Sequence, residues 1–184
     1  EPIKMGLIFL GIAVGTIIGW LAAKRVQMTK MPELVSMFNG MGGACAAMIG
    51  LMEFHHNVGN TGPQMAVILG MVIGSISFSG SVIAYLKLNG TMQKPIRIPS
   101  YNILNSIILV GVLVYSGYMI FSGTSSSFLL YLLFAAALFY GIMFVIPIGG
   151  ADMPVVISLL NSFTGLSAAF GGFLYDNKVM LTGG

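Results

Sequence analysis

Six long apolar runs, separated by short polar segments, make up most of the chain. Each run has about the 20 residues that an α-helix needs to cross the hydrocarbon core of a bilayer. Gly11, Gly15 and Gly19 in the first run recur at four-residue spacing, which puts them on one helix face that should touch another helix. We therefore predict helices at residues 5–23, 34–52, 65–86, 101–121, 128–148 and 153–175.

The segments between the runs have the composition of loops. Residues 53–63 collect charged and amide side chains with Gly59, Gly62 and Pro63, and Pro95 and Pro99 keep the connection after the third run non-helical. The fourth and fifth runs are rich in Leu, Val, Phe and Tyr and carry few polar groups, so we expect these two helices to face lipid.

Composition narrows the class of protein. Of 184 residues, 57% are hydrophobic and 7% charged, and the mean hydropathy of +0.94 lies outside the range of water-soluble domains. The prediction is an all-α membrane protein, with residues 1–184 forming one bundle of about six transmembrane helices in the lipid bilayer. Eight basic residues are too few for a nucleic-acid surface, so no nucleic-acid partner is expected.

Basic residues cluster after the first run and after the third. They are Lys24, Arg25 and Lys30, and Lys87, Lys94 and Arg97. If successive helices alternate in direction, both clusters lie on one side, which the positive-inside rule makes cytoplasmic, or the matrix side in a mitochondrion. The turn around Asp152 then faces the same side, and His55 and His56 face the other.

Several kinds of site are not indicated by the sequence. Cys45 is the single cysteine, so no internal disulfide can form. His55 and His56 are adjacent and point apart, which favours solvated loop histidines over metal ligands. The glycines lie inside apolar runs rather than in a phosphate-binding loop, so this segment is not expected to bind a cofactor or metal, or to hold a catalytic residue.

Residues Gly149–Gly165 concentrate polar groups where the rest of the chain avoids them. Asp152 precedes Met153 and Pro154, a pattern typical of the N-cap of a helix. Two interpretations stay open for Asp152, because a carboxylate at the membrane surface could equally contact a soluble partner.

Asn161 lies nine residues beyond Asp152, about 13 Å deeper at helical rise and close to the bilayer midplane. With Ser158, Thr164 and Gly165 it is predicted to form a polar stripe facing the bundle. The stripe could hold waters along which protons hop, or its groups could simply bond neighbouring helices, and the residues alone favour the second. Asn39 in the second run is the other amide deep inside an apolar run. The same two interpretations, a proton path or a bond to a neighbouring helix, stay open for it.

Three segments closely resemble the membrane domain of the proton-translocating NAD(P) transhydrogenase beta subunit. They are Lys24–Leu34 (KRVQMTKMPEL), Phe78–Val82 (FSGSV) and Gly149–Gly165, which contains GGADMPVV and then LNS. The resemblance covers essentially the whole chain. It implies part of an enzyme that exchanges hydride between NAD(H) and NADP(H) in soluble domains outside this chain, coupled to proton passage through the bundle.

The resemblance also implies partners and a location. The expected partners are the lipid bilayer, membrane helices of an alpha subunit and soluble domains that bind NAD(H) and NADP(H), within a homodimer of the whole enzyme. The expected location is the bacterial inner membrane, with the basic loops and the Asp152 turn cytoplasmic. Further helices and the NADP(H) domain are expected beyond this stretch.

Roles are carried over residue by residue from the resemblance. Asp152 resembles the acid that links the path to the NADP(H) domain, Asn161 the amide within the path, and Ser81 a serine of the matching segment. We include Ser158 and Thr164 in the proton path as neighbours of Asn161. Asn39 stands where many relatives have a histidine thought to relay the proton. Because asparagine cannot take up a proton near neutral pH, either water relays the proton beside it or a histidine comes from a different helix, for example on another subunit, and we hypothesise the second.

Two other classes of function remain as alternatives. A secondary transporter or channel would be expected to show inverted repeats and interrupted helices, and the sequence shows no such symmetry. A non-catalytic membrane scaffold would have a dry, closed stripe around Asn161.

Overall fold

The computed structural model describes residues 2–92 and 100–184, which fold into helices with no strand among them. The all-α prediction is confirmed. The helices are α1 (Pro2–Arg25), α2 (Met31–Glu53), α3 (Thr61–Leu88), α4 (Tyr101–Ser122), α5 (Ser127–Val145), α6 (Met153–Leu174) and a short α7 (Lys178–Gly183). Among the described residues, the first six are long and apolar enough to cross a membrane.

Most helix ends lie within a few residues of the predicted ones. The largest difference is in α3, which begins at Thr61 rather than 65. Helices α1 and α2 begin three residues earlier than predicted, and α5 ends three residues earlier. Single 3₁₀ turns precede α2 and α6, and a proline occupies the first turn of both helices, where its missing N–H has no helical acceptor. Pro95 and Pro99, expected to keep their connection non-helical, lie outside the described residues.

Helix α3 is the central element of the bundle. It packs against α2, α5 and α6, and to a smaller extent α4. Its buried positions go all round the helix and include Ile68, Met71, Ser75, Ser77 and Ala84, all fully buried. A helix buried on every side must be lined with small or apolar residues, and α3 satisfies this with its glycines and serines.

Helices α2 and α3 approach backbone to backbone at Gly43 and Gly74. A Cβ added to Gly43 would lie 2.7 Å from the Gly74 carbonyl oxygen, and a Cβ on Gly74 would lie 2.7 Å from the Gly43 carbonyl oxygen. Only glycine fits at either position. Small residues in α2 and α3 therefore allow the two backbones to make direct contact.

Helix α5, which was expected to face lipid, has one face packed in the core and one exposed apolar face that includes Phe128 and Tyr131. Leu130, Leu133 and Ala137 are buried, and Gly141 packs directly against Ser79 Oγ and the Ile76 carbonyl of α3. The sequence could not separate the two environments, because lipid tails and an apolar protein core are about equally apolar.

Helix α1 does not pack closely against another described helix. Gly11, Gly15 and Gly19 each have open space where a Cβ would be, and the helix is exposed along its length. The expected contact with another helix is not made within the described part of this chain. Near the end of α1, Lys24 Nζ lies 5.0 Å from the centroid of the Trp20 ring.

Prediction for the fold. Replacing Gly43 by Ala should destabilise the full-length protein in detergent by about 1–3 kcal/mol, because the new methyl group meets backbone atoms that cannot move aside. Gly111 in α4 has nothing within 4 Å of the position that a Cβ would take, so Gly111→Ala is the matched control. The midpoint of unfolding measures both, and equal midpoints would contradict the packing described.

Candidate functional site

A network of buried polar side chains joins α2 to α3. Asn39 Nδ2 donates to Ser81 Oγ at 2.9 Å and to Ser77 Oγ at 3.3 Å. Ser36 Oγ, one turn earlier on α2, donates to the Ser81 carbonyl oxygen at 2.8 Å. All four side chains are buried, with Asn39 the most exposed at 7%. They can meet because the glycines of α2 let it approach α3 closely, as at Gly40, whose Cβ would lie 3.2 Å from Ser81 Cβ.

Ser77 extends this network to α6. Its Oγ lies 2.6 Å from Thr164 Oγ1 and 2.8 Å from the Leu160 carbonyl oxygen, and Thr164 Oγ1 lies 3.2 Å from that same carbonyl. Three helices are therefore linked by Asn39, Ser77, Ser81 and Thr164. We call these four residues the polar network.

The hydroxyl groups of the network allow two arrangements of their hydrogens. In one, Thr164 donates to Ser77 and Ser77 donates to the Leu160 carbonyl. In the other, Ser77 donates to Thr164 and Thr164 donates to that carbonyl. Each hydroxyl has one hydrogen and can also accept, so both arrangements satisfy the same oxygens without moving a heavy atom. Such reversibility is what a chain of groups needs in order to pass protons.

Asn39 Oδ1 is the one acceptor of the network side chains that is buried with no hydrogen-bond partner among the described residues. An unpaired acceptor buried in a protein usually costs about 1–3 kcal/mol, so such groups normally have a donor. The carboxamide thus places an acceptor oxygen close to the two serines.

Ser158 and Asn161 lie elsewhere. Both are exposed, whereas Thr164 is half-buried and Leu160 is fully buried. Successive helical residues are about 100° apart, so Asn161 lies beside the face centred on Leu160 and Ser158 lies nearly opposite it. The prediction that Ser158, Asn161, Thr164 and Gly165 form one stripe facing the bundle is wrong within this chain, because Ser158 and Asn161 are exposed while Thr164 and Gly165 are half-buried.

Asp152 occupies the N-cap position of α6, as predicted. Its side chain accepts no capping hydrogen bond and is exposed to the surroundings. The carboxylate therefore does not act as the predicted cap, and it is available at the surface beside the start of α6.

Lys87 does not belong to a loop. It lies in the last turn of α3 with 7% of its surface exposed, and its Nζ donates to the carbonyl oxygens of Val145 at 2.9 Å, Ile148 at 2.6 Å, and Ile146. Its assignment to the basic connection after the third run is therefore wrong. Lys94 and Arg97, the other members of that cluster, lie outside the described residues.

The opposite end of the bundle carries a second polar cluster, around Glu53. Tyr175 Oη donates to Glu53 Oε1 at 3.1 Å, and His56 Nδ1 lies 3.6 Å from Glu53 Oε2. Partial burial, and then the bond to Glu53, raise the pKa of Tyr175. His55 Nε2 lies 3.0 Å from Ser127 Oγ, and both side chains are exposed, so the histidines lie at the surface as their sequence context indicated.

A cavity of about 220 Å³ lies between α2, α3 and α6. Its lining on α6 extends from Thr164 to Leu174, about 15 Å at helical rise, and so leads from the polar network toward the Glu53 end. Thr164 and Ser167 are hydroxyl residues in an otherwise apolar wall that also contains Cys45. Among the described residues, no three His, Cys, Asp or Glu side chains are grouped to hold a metal ion.

Sequence reasoning missed Ser77 and Lys87 as site residues. Ser77 could have been found, because it lies four residues before Ser81 and therefore on the same face of α3. Lys87 could not, since an apolar run ending in lysine is also what a helix ending at the membrane surface looks like.

Comparison with known proteins identifies the family. The sequence profile described as NAD(P) transhydrogenase beta subunit matches residues 1–184. The chain belongs to the NAD(P) transhydrogenase beta subunit family. Two relatives, from Rhodospirillum rubrum and a named strain of that species, are each called NAD(P) transhydrogenase subunit beta and are 38% identical over 187 residues. The match covers 96% of this chain and 40% of those relatives, so the chain spans about two fifths of their length.

Prediction for the network. A double-mutant cycle of Ser77→Ala and Thr164→Val should give a coupling free energy of about 0.6–1.7 kcal/mol, the range for hydrogen bonds between membrane helices. The measurement is the unfolding free energy of the full-length protein in detergent or bicelles. The control cycle combines Ser77→Ala with Ser162→Ala, because the Ser162 hydroxyl donates to the Ser158 carbonyl oxygen of its own helix. Equal coupling free energies in the test cycle and the control cycle would contradict the network.

Proposed function

We propose that this chain is the proton-translocating part of an NAD(P) transhydrogenase beta subunit. Proton passage through the bundle is coupled to hydride transfer between NAD(H) and NADP(H), which occurs in soluble domains outside this chain. Family membership supports the enzyme class. The observation that carries the proton-conducting role is the polar network, in which the Asn39 amide donates to Ser77 and Ser81 and the hydroxyls of Ser77 and Thr164 can each donate and accept.

The proposed path uses Asn39, Ser77, Ser81 and Thr164 as its packed section. The cavity beside Thr164 extends it toward the Glu53 end, where His55 and His56 are exposed. Because Asn39 and the hydroxyls do not hold an excess proton near neutral pH, they orient and relay rather than store it. A group with a pKa near neutrality must therefore lie elsewhere along the path.

Asn161 and Ser158 form the proposed outer section of the path. An amide exposed at membrane depth is costly in lipid, so its surroundings in the assembled enzyme should be protein or water. We propose that membrane helices of the alpha subunit cover this face and that one of them supplies the histidine that Asn39 replaces. An assembled structure with no histidine near Asn39 or Asn161 would contradict this part of the proposal.

Asp152 is the proposed contact with the NADP(H)-binding domain. Its exposed carboxylate, free of a capping bond, lies at the end of the bundle that also carries Lys24, Arg25 and Lys30. By the positive-inside rule this end is proposed to be cytoplasmic. We further propose that the whole enzyme lies in a bacterial inner membrane as a homodimer.

Prediction for conduction. Ser77→Ala in the full enzyme should lower proton pumping in proteoliposomes about tenfold, since leaving buried partners unsatisfied costs about 1–3 kcal/mol and 1.4 kcal/mol is a factor of ten. Ser75→Ala is the matched control, because Ser75 is equally buried in α3 but donates only to Met71 of its own helix. In a non-conducting scaffold, Ser77→Ala and Ser75→Ala would have the same effect on proton pumping, and that result would contradict the proposed path.

Prediction for the outer section. Asn161→Leu should abolish proton-coupled turnover while the enzyme still assembles, because the amide is proposed to face the path rather than to hold the bundle together. Asn102→Leu, at an exposed amide on α4, should leave turnover unchanged. Pumping and the yield of assembled complex are measured together. Wild-type pumping in Asn161→Leu would remove this residue from the path.

A further inference from the structure

Lys87 is an ammonium group buried at the end of the bundle where Asp152 lies. It contacts the carbonyl oxygens of Val145, Ile146 and Ile148, where α5 ends and its connection to α6 begins. Carbonyls at a helix C-terminus lack donor partners within their own helix, and the helix dipole favours a cation there. The lysine therefore fastens the last turn of α3 to the end of α5.

The charge of Lys87 is stabilised by hydrogen bonds to these neutral carbonyl groups. No carboxylate of the described residues forms an ion pair with it. A buried cation is costly without close polar partners, so Nζ and the three carbonyls must stay together when either helix moves. The contact is therefore expected to persist when α3 moves, so that the end of α5 moves with it.

The same helix carries the polar network. Ser77 and Ser81 precede Lys87 by ten and six residues, about 15 Å and 9 Å along α3. Asp152 follows Ile148 by four residues, through the 3₁₀ turn Gly150–Asp152. Helix α3 therefore contributes Ser77 and Ser81 to the network and, through Lys87 in its last turn, contacts the segment before Asp152.

We propose that Lys87 is a positioning residue that transmits displacement of α3 to the connection carrying Asp152. The inference rests on the proposed function and adds the physical link between its two parts. When Asn39 or Ser77 changes hydrogen-bond partner, α3 shifts relative to α6. Because Lys87 stays bonded to the carbonyl groups at the end of α5, that end and the following turn move with α3. Coupling between two sites needs such an element with two arrangements that both sites bias.

The test is a comparison of Lys87→Met, Lys87→Arg and Lys30→Met in the full enzyme in proteoliposomes, with proton pumping and hydride transfer measured in the same vesicles. Methionine keeps the length of the side chain and removes its charge and donors, whereas arginine keeps both. Lys30→Met is the matched control, because Lys30 is an exposed lysine at the same end of the bundle.

In Lys87→Met, the number of protons pumped per hydride transferred should fall by about threefold or more, a change in the range seen when residues between coupled sites are altered. Lys87→Arg should recover most of the ratio, and Lys30→Met should leave it unchanged. A purely structural role would lower pumping and hydride transfer in proportion and leave the ratio at its wild-type value, which would overturn the proposal.

Two further results keep the inference separate from the proposed function. If Ser77→Ala impairs pumping while Lys87→Met keeps a wild-type ratio, the inference fails and the proton path stands. If both variants are indistinguishable from wild type, the proton path itself fails. Should Lys87→Met not accumulate in the membrane, Lys87→Gln, which keeps two donors without the charge, is measured instead, and an unchanged ratio there overturns the proposal equally.

Discussion

The close approach of α2 and α3 is the constraint on which the rest of this structure depends. Inside a bilayer the hydrophobic effect does not drive helices together, because lipid is as apolar as their side chains. Association then depends on van der Waals contact and hydrogen bonds, and both require that backbones come near. Gly43 and Gly74 meet with carbonyl oxygens where a Cβ would be, and this brings Asn39 within reach of Ser77 and Ser81.

Most buried polar groups in the bundle are satisfied in one of two ways. Most buried serines donate to a carbonyl of their own helix, as Ser75 does to Met71, and such bonds link nothing else. A second group of side chains bonds groups on other helices, namely Ser36, Asn39, Gln64, Ser77 and Lys87. All five belong to α2 or α3, so the contacts used by the proposed path and coupling involve the central helix α3.

Both ends of α3 make polar contacts with other helices. Near Thr61, Gln64 Nε2 donates to the Met119 carbonyl oxygen of α4 at 3.2 Å, and apolar core residues such as Ile68 and Met71 follow. From Ser77 onward α3 meets the network and then the Lys87 contact. Because α3 contacts both the network and the connection to Asp152, it is the element proposed to move.

The sequence by itself determined the class of protein, the membrane helices and the family. Hydropathy and turn residues suffice for the first two because spanning a bilayer imposes a length and an apolar composition that few other structures share. Only the tertiary structure decided which polar residues meet. Thr164 and Asn161 are three residues apart on α6, yet one reaches Ser77 and the other is exposed, since the packed face is centred on Leu160. The surroundings of Lys87 could not be predicted from the sequence either, because the first carbonyl group that binds it, that of Val145, lies 58 residues further along the chain.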